Sequence, residues 1–295
     1  MRTRDRVAVV VFLSPWAVGL VAFTLGPMAA SLVLSFTDYE LFGTPQWVGL
    51  DNYRRMLTED PRYVASLSVT AVFVLVSVPL QLAVALGVAL LLRGGVAGLG
   101  LYRAAYYLPS LLGTSVAVAI LWRQVFGRDG VVNGVLEPFG VPPTNWIGDP
   151  DTALGTLIAL AAWQFGAPMV IFLAGLHGIP GELYEAATVD GAGPWRRFRY
   201  VTVPLLSPVI LFNGVLQMIG AFQTFTPAFI ISGGSGGPTD STLFYTLYLY
   251  QRAFTAFDMG YASAMAWVLL VVIAASTALV FRVSARHVVY LEEAR

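Results

Sequence analysis

The sequence contains no cysteine and no lysine, so all 17 of its basic residues are arginine. The lack of cysteine excludes disulfides, thiolate catalysis and cysteine metal sites. The lack of lysine excludes a P-loop, which needs that residue to bind phosphate, so the chain cannot hydrolyse ATP by that route. Only His177 and His287 are available as histidines, and no catalytic motif surrounds them. The sequence therefore predicts a protein that is not an enzyme and binds no cofactor itself.

Charge is also scarce, because 12% of the residues are charged against about 25% in an ordinary soluble domain. Hydrophobic residues make up 57% of the chain, and the mean hydropathy is +0.72. Such a chain cannot cover itself with polar surface in water. Its formal net charge is zero, which leaves no electrostatic case for nucleic acid as a partner. Composition therefore predicts a protein embedded in a lipid bilayer.

Long apolar windows, each close to the roughly 20 residues that a membrane-spanning helix needs, recur along the chain. They predict an all-α, polytopic membrane fold with six transmembrane helices in a single transmembrane domain, 1–295. The spans are expected near 8–34, 65–92, 104–125, 153–178, 203–230 and 260–282. Prolines recur within them, and each fits either a tolerated kink or a helix that curves around a central cavity.

Arginine is distributed unevenly between the two sides of this predicted membrane. With the N-terminus inside, 11 of the 17 arginines lie in the inner segments and the others in the outer ones. The positive-inside rule therefore predicts that both termini and the connecting segment 180–202 are cytoplasmic.

The charge-free cores of the six windows contain no aspartate, glutamate or arginine. Ion-coupled carriers and proton pumps usually need ionisable groups there, so an ion gradient is not the expected energy source. His177, at the inner end of the fourth window, fits an interfacial residue better than a proton relay. A stand-alone passive channel, an ion-coupled carrier and a non-transporting scaffold remain as alternatives to transport driven by another subunit.

Segment 180–202 interrupts the apolar sequence with a predicted helix-turn-helix. Pro180 is expected to start the first helix, whose first turns carry Glu182 and Glu185. Asp190-Gly191 is expected to end it, with glycine in the left-handed conformation. Chemistry alone leaves two interpretations open, a surface for a soluble partner and an amphipathic loop that anchors the spans.

The same segment resembles the EAA loop of ABC importer permeases. The family pattern is Glu-Ala-Ala, three residues, Gly, nine residues, Ile, one residue and Leu-Pro, and here Val201 and Val203 replace the Ile and the Leu. Further stretches resemble the carbohydrate-uptake branch of that family: Ser35-Phe-Thr-Asp-Tyr39, Val48-Gly-Leu-Asp-Asn-Tyr53, Tyr106-Tyr-Leu-Pro109, Gly236-Gly-Pro238 and Gly260-Tyr-Ala-Ser-Ala264.

The resemblance implies a permease subunit of an ATP-driven importer in a bacterial or archaeal cytoplasmic membrane. It implies three kinds of partner: a second, non-identical permease, two cytoplasmic ATPase subunits that bind ATP and magnesium, and an extracytoplasmic solute-binding protein. The residues implied to couple the chain to the ATPase are Glu185, Ala186, Ala187, Asp190, Gly191 and Pro204.

The family also implies that a sugar or oligosaccharide crosses between the helices before and after the EAA loop. Neutral hydrogen-bonding and aromatic side chains suit such a ligand. The candidates in these two windows are Trp163, Gln164, Asn213, Gln217 and Thr224. Each fits helix–helix packing as an alternative, because amides often bond between spans.

Overall fold

The computed structural model of the chain describes residues 3–94, 98–113 and 115–285. Within these ranges the regular structure is helical, with only two isolated β-bridges. The predicted all-α class is therefore confirmed. The α-helices, numbered in chain order, are α1 Thr3–Leu20, α2 Gly26–Leu34, α3 Asp51–Thr58, α4 Pro61–Leu92, α5 Leu99–Leu112, α6 Val116–Phe126, α7 Val131–Leu136, α8 Pro150–Trp163, α9 Gly166–His177, α10 Gly181–Val189, α11 Pro194–Arg197, α12 Val203–Phe222, α13 Thr226–Ile231, α14 Tyr245–Tyr250 and α15 Met259–Ser284.

Four helical stretches are long and apolar enough to cross a membrane, and two bent helix pairs raise the total to as many as six. The four are Val11–Leu34, Pro61–Leu92, Pro194–Ile231 and Met259–Ser284. The bent pairs are Leu99–Leu112 with Val116–Phe139, at 97°, and Pro150–Trp163 with Gly166–His177, at 41°. The predicted polytopic membrane fold is therefore confirmed, with six spans when each bent pair counts as one.

The third and fourth predicted windows are thus broken helices. In the third, α5 ends at Leu112, and Ser115 begins α6 by accepting a 3.3 Å hydrogen bond from the Val118 N–H. A serine side chain at this position replaces one of the carbonyl partners that the first helical N–H groups lack. The sequence therefore contains a helix start inside a window whose hydropathy predicts one continuous span.

The chain divides into two compact units, one taken from Met1–Pro61 and Leu249–Val272 and the other from Arg62–Tyr248 and Ile273–Arg295. The assignment of 1–295 to a single domain stays a prediction. In the first unit, Asp60 accepts hydrogen bonds of 2.8 Å from Arg252 and 2.7 Å from the Tyr261 hydroxyl. Because the Asp60 side chain is only 5% exposed, these bonds compensate a charge that is largely removed from water.

The core of the second unit lies where α4, α9 and α12 pack. Small residues of α4, Ala85 and Ala89, are fully buried there against larger side chains of the other two helices, among them Phe172 and Leu206. Alanine at these positions lets the helices approach closely, as small residues do between membrane helices. The three helices also position both candidate sites.

Candidate functional site

The EAA segment, residues 180–202, begins with α10, whose start is set by Pro180. This proline has φ −57° and ψ 134°, so it caps the helix, and Gly181 is the first helical residue. The sequence predicted Pro180 as the first helical residue, one position later in the helix than the structure has it. Glu182 lies in the first turn, where the partial positive charge of the helix N-terminus favours an acidic side chain.

The end of α10 is a Schellman motif, formed at the predicted glycine. Gly191 has φ +75°, and its N–H donates to the Thr188 carbonyl at 3.0 Å. The next N–H, that of Ala192, donates to the Ala187 carbonyl at 2.8 Å. These two bonds satisfy carbonyls that the helix end would otherwise leave unpaired. The backbone geometry of the turn therefore requires a residue that tolerates positive φ.

The side chains of α10 divide between two faces. Tyr184 and Ala187, which are three residues apart and so neighbours on one face, are half-buried. Glu185 and Ala186 are exposed, and no ion pair within 4 Å joins Glu185 to another residue in the described part of the chain. The arrangement leaves the Glu185 carboxylate available to a cation outside this chain.

The return from α10 to α12 is held by side-chain bonds within the segment. Arg197 donates a 3.1 Å hydrogen bond to the Thr188 hydroxyl, which itself donates to the Tyr184 carbonyl at 2.7 Å. A π-helical turn, Phe198–Thr202, then leads into α12. It ends where the Val203 N–H donates to the Phe198 carbonyl, just before Pro204, which has no N–H to continue the ladder.

A polar pocket with a volume of about 360 Å³ lies in the second unit. All of its lining residues are neutral, and they combine hydrogen-bonding side chains with the aromatic rings of Phe73 and Phe225 and with aliphatic side chains such as Leu157 and Leu160. The hydrogen-bonding side chains are those of Ser77, Gln81, Gln164, Gln217, Gln223, Thr224 and Thr226. Three of the predicted residues, Gln164, Gln217 and Thr224, are brought together here.

One wall of the pocket is the break between α8 and α9. Pro168 has no N–H, so the Gln164 carbonyl four residues earlier lacks its helical partner. That carbonyl instead accepts hydrogen bonds from the Gln81 amide at 2.9 Å and the Ser110 hydroxyl at 3.2 Å. The Ser110 oxygen in turn accepts a 2.8 Å bond from the Ala167 N–H at the start of α9. Side chains of α4 and α5 therefore satisfy two backbone groups at the break, the carbonyl that the proline leaves without a helical donor and the Ala167 N–H.

A second break, between α12 and α13, forms another part of the lining. Residues 223–225 are non-helical there, and Pro227 deprives the Gln223 carbonyl of a helical donor. The neighbouring Thr224 carbonyl accepts a hydrogen bond from the Thr246 hydroxyl. Irregular backbone at membrane depth is tolerated where it lines a cavity, and discontinuous helices are common at transporter binding sites.

The other two predicted path residues lie outside the pocket lining. Trp163 packs against Trp122, with ring centroids 5.9 Å apart. Asn213 is fully buried, and its amide nitrogen lies 3.4 Å from the Pro168 carbonyl. His177 is engaged within its own helix, because Nδ1 lies 2.6 Å from the Leu173 carbonyl oxygen. For Asn213, this position fits the helix-packing alternative.

Ser77, Gln81 and Gln223 also line the pocket, although the sequence did not predict them as path residues. Ser77 and Gln81 stand four residues apart in α4, hence on one helix face, and both are buried. Two polar side chains repeated at helical spacing inside an apolar window were the available signal. Gln223 carried a weaker signal, since its position depends on a helix break that the window did not predict.

Comparison with known proteins identifies the family. The model of the "Binding-protein-dependent transport system inner membrane component" matches residues 62–289. A probable ABC transporter permease, YesP of Bacillus subtilis (strain 168), is 52% identical over 288 residues, which cover 97% of this chain and 93% of that protein. LacF of Rhizobium radiobacter, named a lactose transport system permease protein, is 35% identical to this chain. The match covers 92% of this chain and 91% of LacF.

A solved structure shares the fold. It is the crystal structure of a bacterial alginate ABC transporter in complex with a periplasmic protein that carries an alginate pentasaccharide. One of its chains matches this chain with a TM-score of 0.81 and 19% sequence identity. The match covers 96% of this chain and 95% of that one. The relatives are permease subunits of ABC transporters, which supports the importer interpretation over a stand-alone channel or carrier. The chain belongs to the family of binding-protein-dependent transport system inner membrane components, and it is a multi-pass membrane permease rather than an enzyme.

Proposed function

We propose that this permease carries a neutral sugar or oligosaccharide through the polar pocket. The observation that supports this most is the lining, in which four glutamines, a serine and two threonines face the cavity beside phenylalanine rings. Hydroxyl groups of a sugar need donors and acceptors, and its apolar faces suit aromatic rings. The name of the lactose permease relative agrees with this substrate class.

The EAA segment is the proposed site of energy input. Two cytoplasmic ATPase subunits, which bind ATP and magnesium, receive α10, and Glu185 pairs with a basic residue there. Ala186 and Ala187 allow close approach, while Asp190, Gly191 and Pro204 shape the turn and the re-entry into α12. The segment and both termini lie on the cytoplasmic side of a bacterial or archaeal membrane.

Two further partners complete the proposed importer. A second, non-identical permease pairs with this chain, and an extracytoplasmic binding protein delivers the sugar. Closure of the ATPase pair on ATP would move the two α10 helices and switch the permeases between inward-open and outward-open states. The permease itself then needs neither a nucleotide site nor ionisable groups in its spans.

The pocket is tested by replacing Gln217, which projects from α12 into it. Uptake of a labelled sugar, chosen by a thermal-shift screen of the binding protein, is measured in proteoliposomes that contain all subunits. Gln217→Leu should raise KM or lower the maximal rate by about fivefold or more, because a buried sugar hydroxyl loses a partner worth about 1–3 kcal/mol.

The matched control is Gln124→Leu, which makes the same chemical change at an exposed residue of α6. This variant should transport as the unmodified permease does. Equal uptake kinetics of the two variants would remove Gln217 from the substrate path.

A further inference from the structure

The side chain of Tyr184 packs α10 against the rest of the second unit. It is one of the partly buried residues that pack against the core formed by α4, α9 and α12. Its neighbours along the chain, Leu183 and Glu185, are exposed. Tyr184 and Ala187 are therefore the side chains of α10 that face the protein interior, and Tyr184 is the larger of the two.

The ring of Tyr184 contacts the end of α4. The guanidinium carbon of Arg93 lies 4.4 Å from the ring centroid, within the range of a cation–π interaction. Arg93 follows Leu92, the buried last residue of α4. The contact joins α10 to a helix that runs without interruption for 32 residues.

The hydroxyl of the same tyrosine contacts the start of α12. It lies 2.9 Å from the hydroxyl of Thr202, whose residue is only 3% exposed. Thr202 immediately precedes Val203, the first residue of α12. The Thr202 hydroxyl also lies 3.5 Å from the Arg197 carbonyl oxygen, so its contact with Tyr184 is the shorter of these two. Because shorter hydrogen bonds are stronger, the two side chains are expected to remain paired while α10 moves.

The two helices held by Tyr184 are the ones that supply Gln81 and Gln217 to the pocket. Gln81 lies twelve residues before Arg93 on a continuous path, a distance of about 18 Å at the helical rise per residue. It also donates to the Gln164 carbonyl at the α8–α9 break. A shift of the Arg93 end of α4 would therefore act on the pocket wall.

From these contacts we infer that Tyr184 is the positioning residue that transmits movement of α10 to the pocket, through Arg93 into α4 and through Thr202 into α12. The inference rests on the proposed function, in which an ATPase moves α10. The rival route avoids the tyrosine: it runs from α10 to α11 through the backbone and the Arg197–Thr188 hydrogen bond, and then through the π-helical turn into α12. Removing the tyrosine ring breaks the first route and leaves the second intact.

This chain has no cysteine, so a single engineered thiol is the only maleimide target on this subunit, and its label is measured on this subunit after the subunits have been separated. Thr224→Cys places it in the pocket lining. The complete importer, purified with its ATPase subunits and reconstituted, is labelled with a maleimide in the absence of nucleotide and after trapping with ATP, magnesium and vanadate. The ratio of the two labelling rates measures the response of the pocket.

With Tyr184 present, trapping should change the labelling rate by at least about fivefold, the lower end of typical coupling between sites. Tyr184→Leu should reduce this ratio to less than about twofold while ATP hydrolysis continues. Tyr184→Phe, which keeps the ring on Arg93 and loses the bond to Thr202, should give an intermediate ratio. Tyr200→Leu, the same change at an exposed tyrosine of the EAA segment, should keep the full ratio.

Arg93→Gln is a second variant, which keeps Tyr184 and removes the guanidinium that contacts its ring. This variant should also lower the ratio of labelling rates. A full response in both Tyr184→Leu and Arg93→Gln would overturn the inference and leave the proposed function standing. No response in the parent Thr224→Cys complex would contradict the proposed function itself, because trapping would then not reach the pocket at all.

Discussion

The EAA segment and the polar pocket are built in opposite ways. The shape of α10 depends on residues within a dozen positions of one another: Pro180 caps its start, and Gly191 closes its end with two backbone hydrogen bonds. The pocket depends on distant residues, since Gln81 and Ser110 satisfy a carbonyl that Pro168 has freed. A locally encoded element can present side chains to a partner, whereas a binding cavity needs several helices to meet.

Among the variants that test this difference between the EAA segment and the pocket, Glu185→Lys is expected to have the largest effect, which is on sugar uptake. Reversing one charge of a desolvated pair costs about 2–5 kcal/mol, so sugar uptake should fall at least about tenfold. The melting temperature of the permease should change little, because the Glu185 side chain is exposed. Uptake and thermal unfolding in detergent are measured on the same preparation.

Glu182→Lys is the control for that variant. It makes the same charge change in the first turn of the same helix, also at an exposed residue. Equal loss of uptake in both variants would mean that helix charge, rather than a specific pair at Glu185, governs coupling.

A smaller effect is expected from Gly166→Ala, which acts on the distant packing that shapes the pocket. A Cβ at Gly166 would lie 2.4 Å from the Tyr106 carbonyl oxygen of α5, a backbone atom that cannot move aside freely. Such overpacking costs about 1–3 kcal/mol, so the melting temperature of the permease should fall.

Its control is Gly155→Ala on α8, where an added Cβ would meet no atom within 4 Å. That variant should be unchanged or stabilised by up to about 1 kcal/mol, the helix propensity difference. Equal melting temperatures for the two variants would contradict the close α5–α9 contact.

The smallest and most local effect is expected from Gly191→Ala. The left-handed backbone costs a residue with a Cβ about 1–2 kcal/mol, which should raise amide exchange in the last turn of α10 about tenfold. Global melting should stay the same, unlike that of Gly166→Ala. Hydrogen exchange followed by mass spectrometry measures the difference.

The control is Gly193→Ala, because Gly193 has φ −66° and needs no left-handed conformation. This variant should leave amide exchange in the last turn of α10 unchanged. Gly191→Asn should restore part of the protection, since asparagine tolerates this region better than alanine. A global loss of stability in Gly191→Ala would show that the turn is not a local element.

The same contrast explains what the sequence could predict. The helix of the EAA segment and its glycine turn follow from capping and backbone rules that act over a few residues, so they could be read directly. The polar residues Gln164, Gln217 and Thr224 stood out against apolar windows. Ser77 and Gln81 carried the same kind of signal, but the role of Gln81 depends on a carbonyl 83 residues away.

Breaks within the spans were the main feature that hydropathy windows could not predict. A window averages over 20 residues, and Pro168, Pro227 and Ser115 act on single hydrogen bonds within it. Trp163 illustrates the remaining limit, because an aromatic ring suits both a sugar and another ring. Its packing on Trp122 depends on how α6 and α8 meet, which is a tertiary property.

Uptake driven by ATP is the central claim, and one measurement tests it most directly. Proteoliposomes with both permeases and the ATPase subunits are supplied with the binding protein and a labelled sugar, and are loaded with either ATP and magnesium or a non-hydrolysable analogue. The account predicts that sugar accumulates above its external concentration only in the proteoliposomes that contain ATP and magnesium. Equal uptake with the analogue, or accumulation driven by an imposed proton gradient without nucleotide, would contradict the claim.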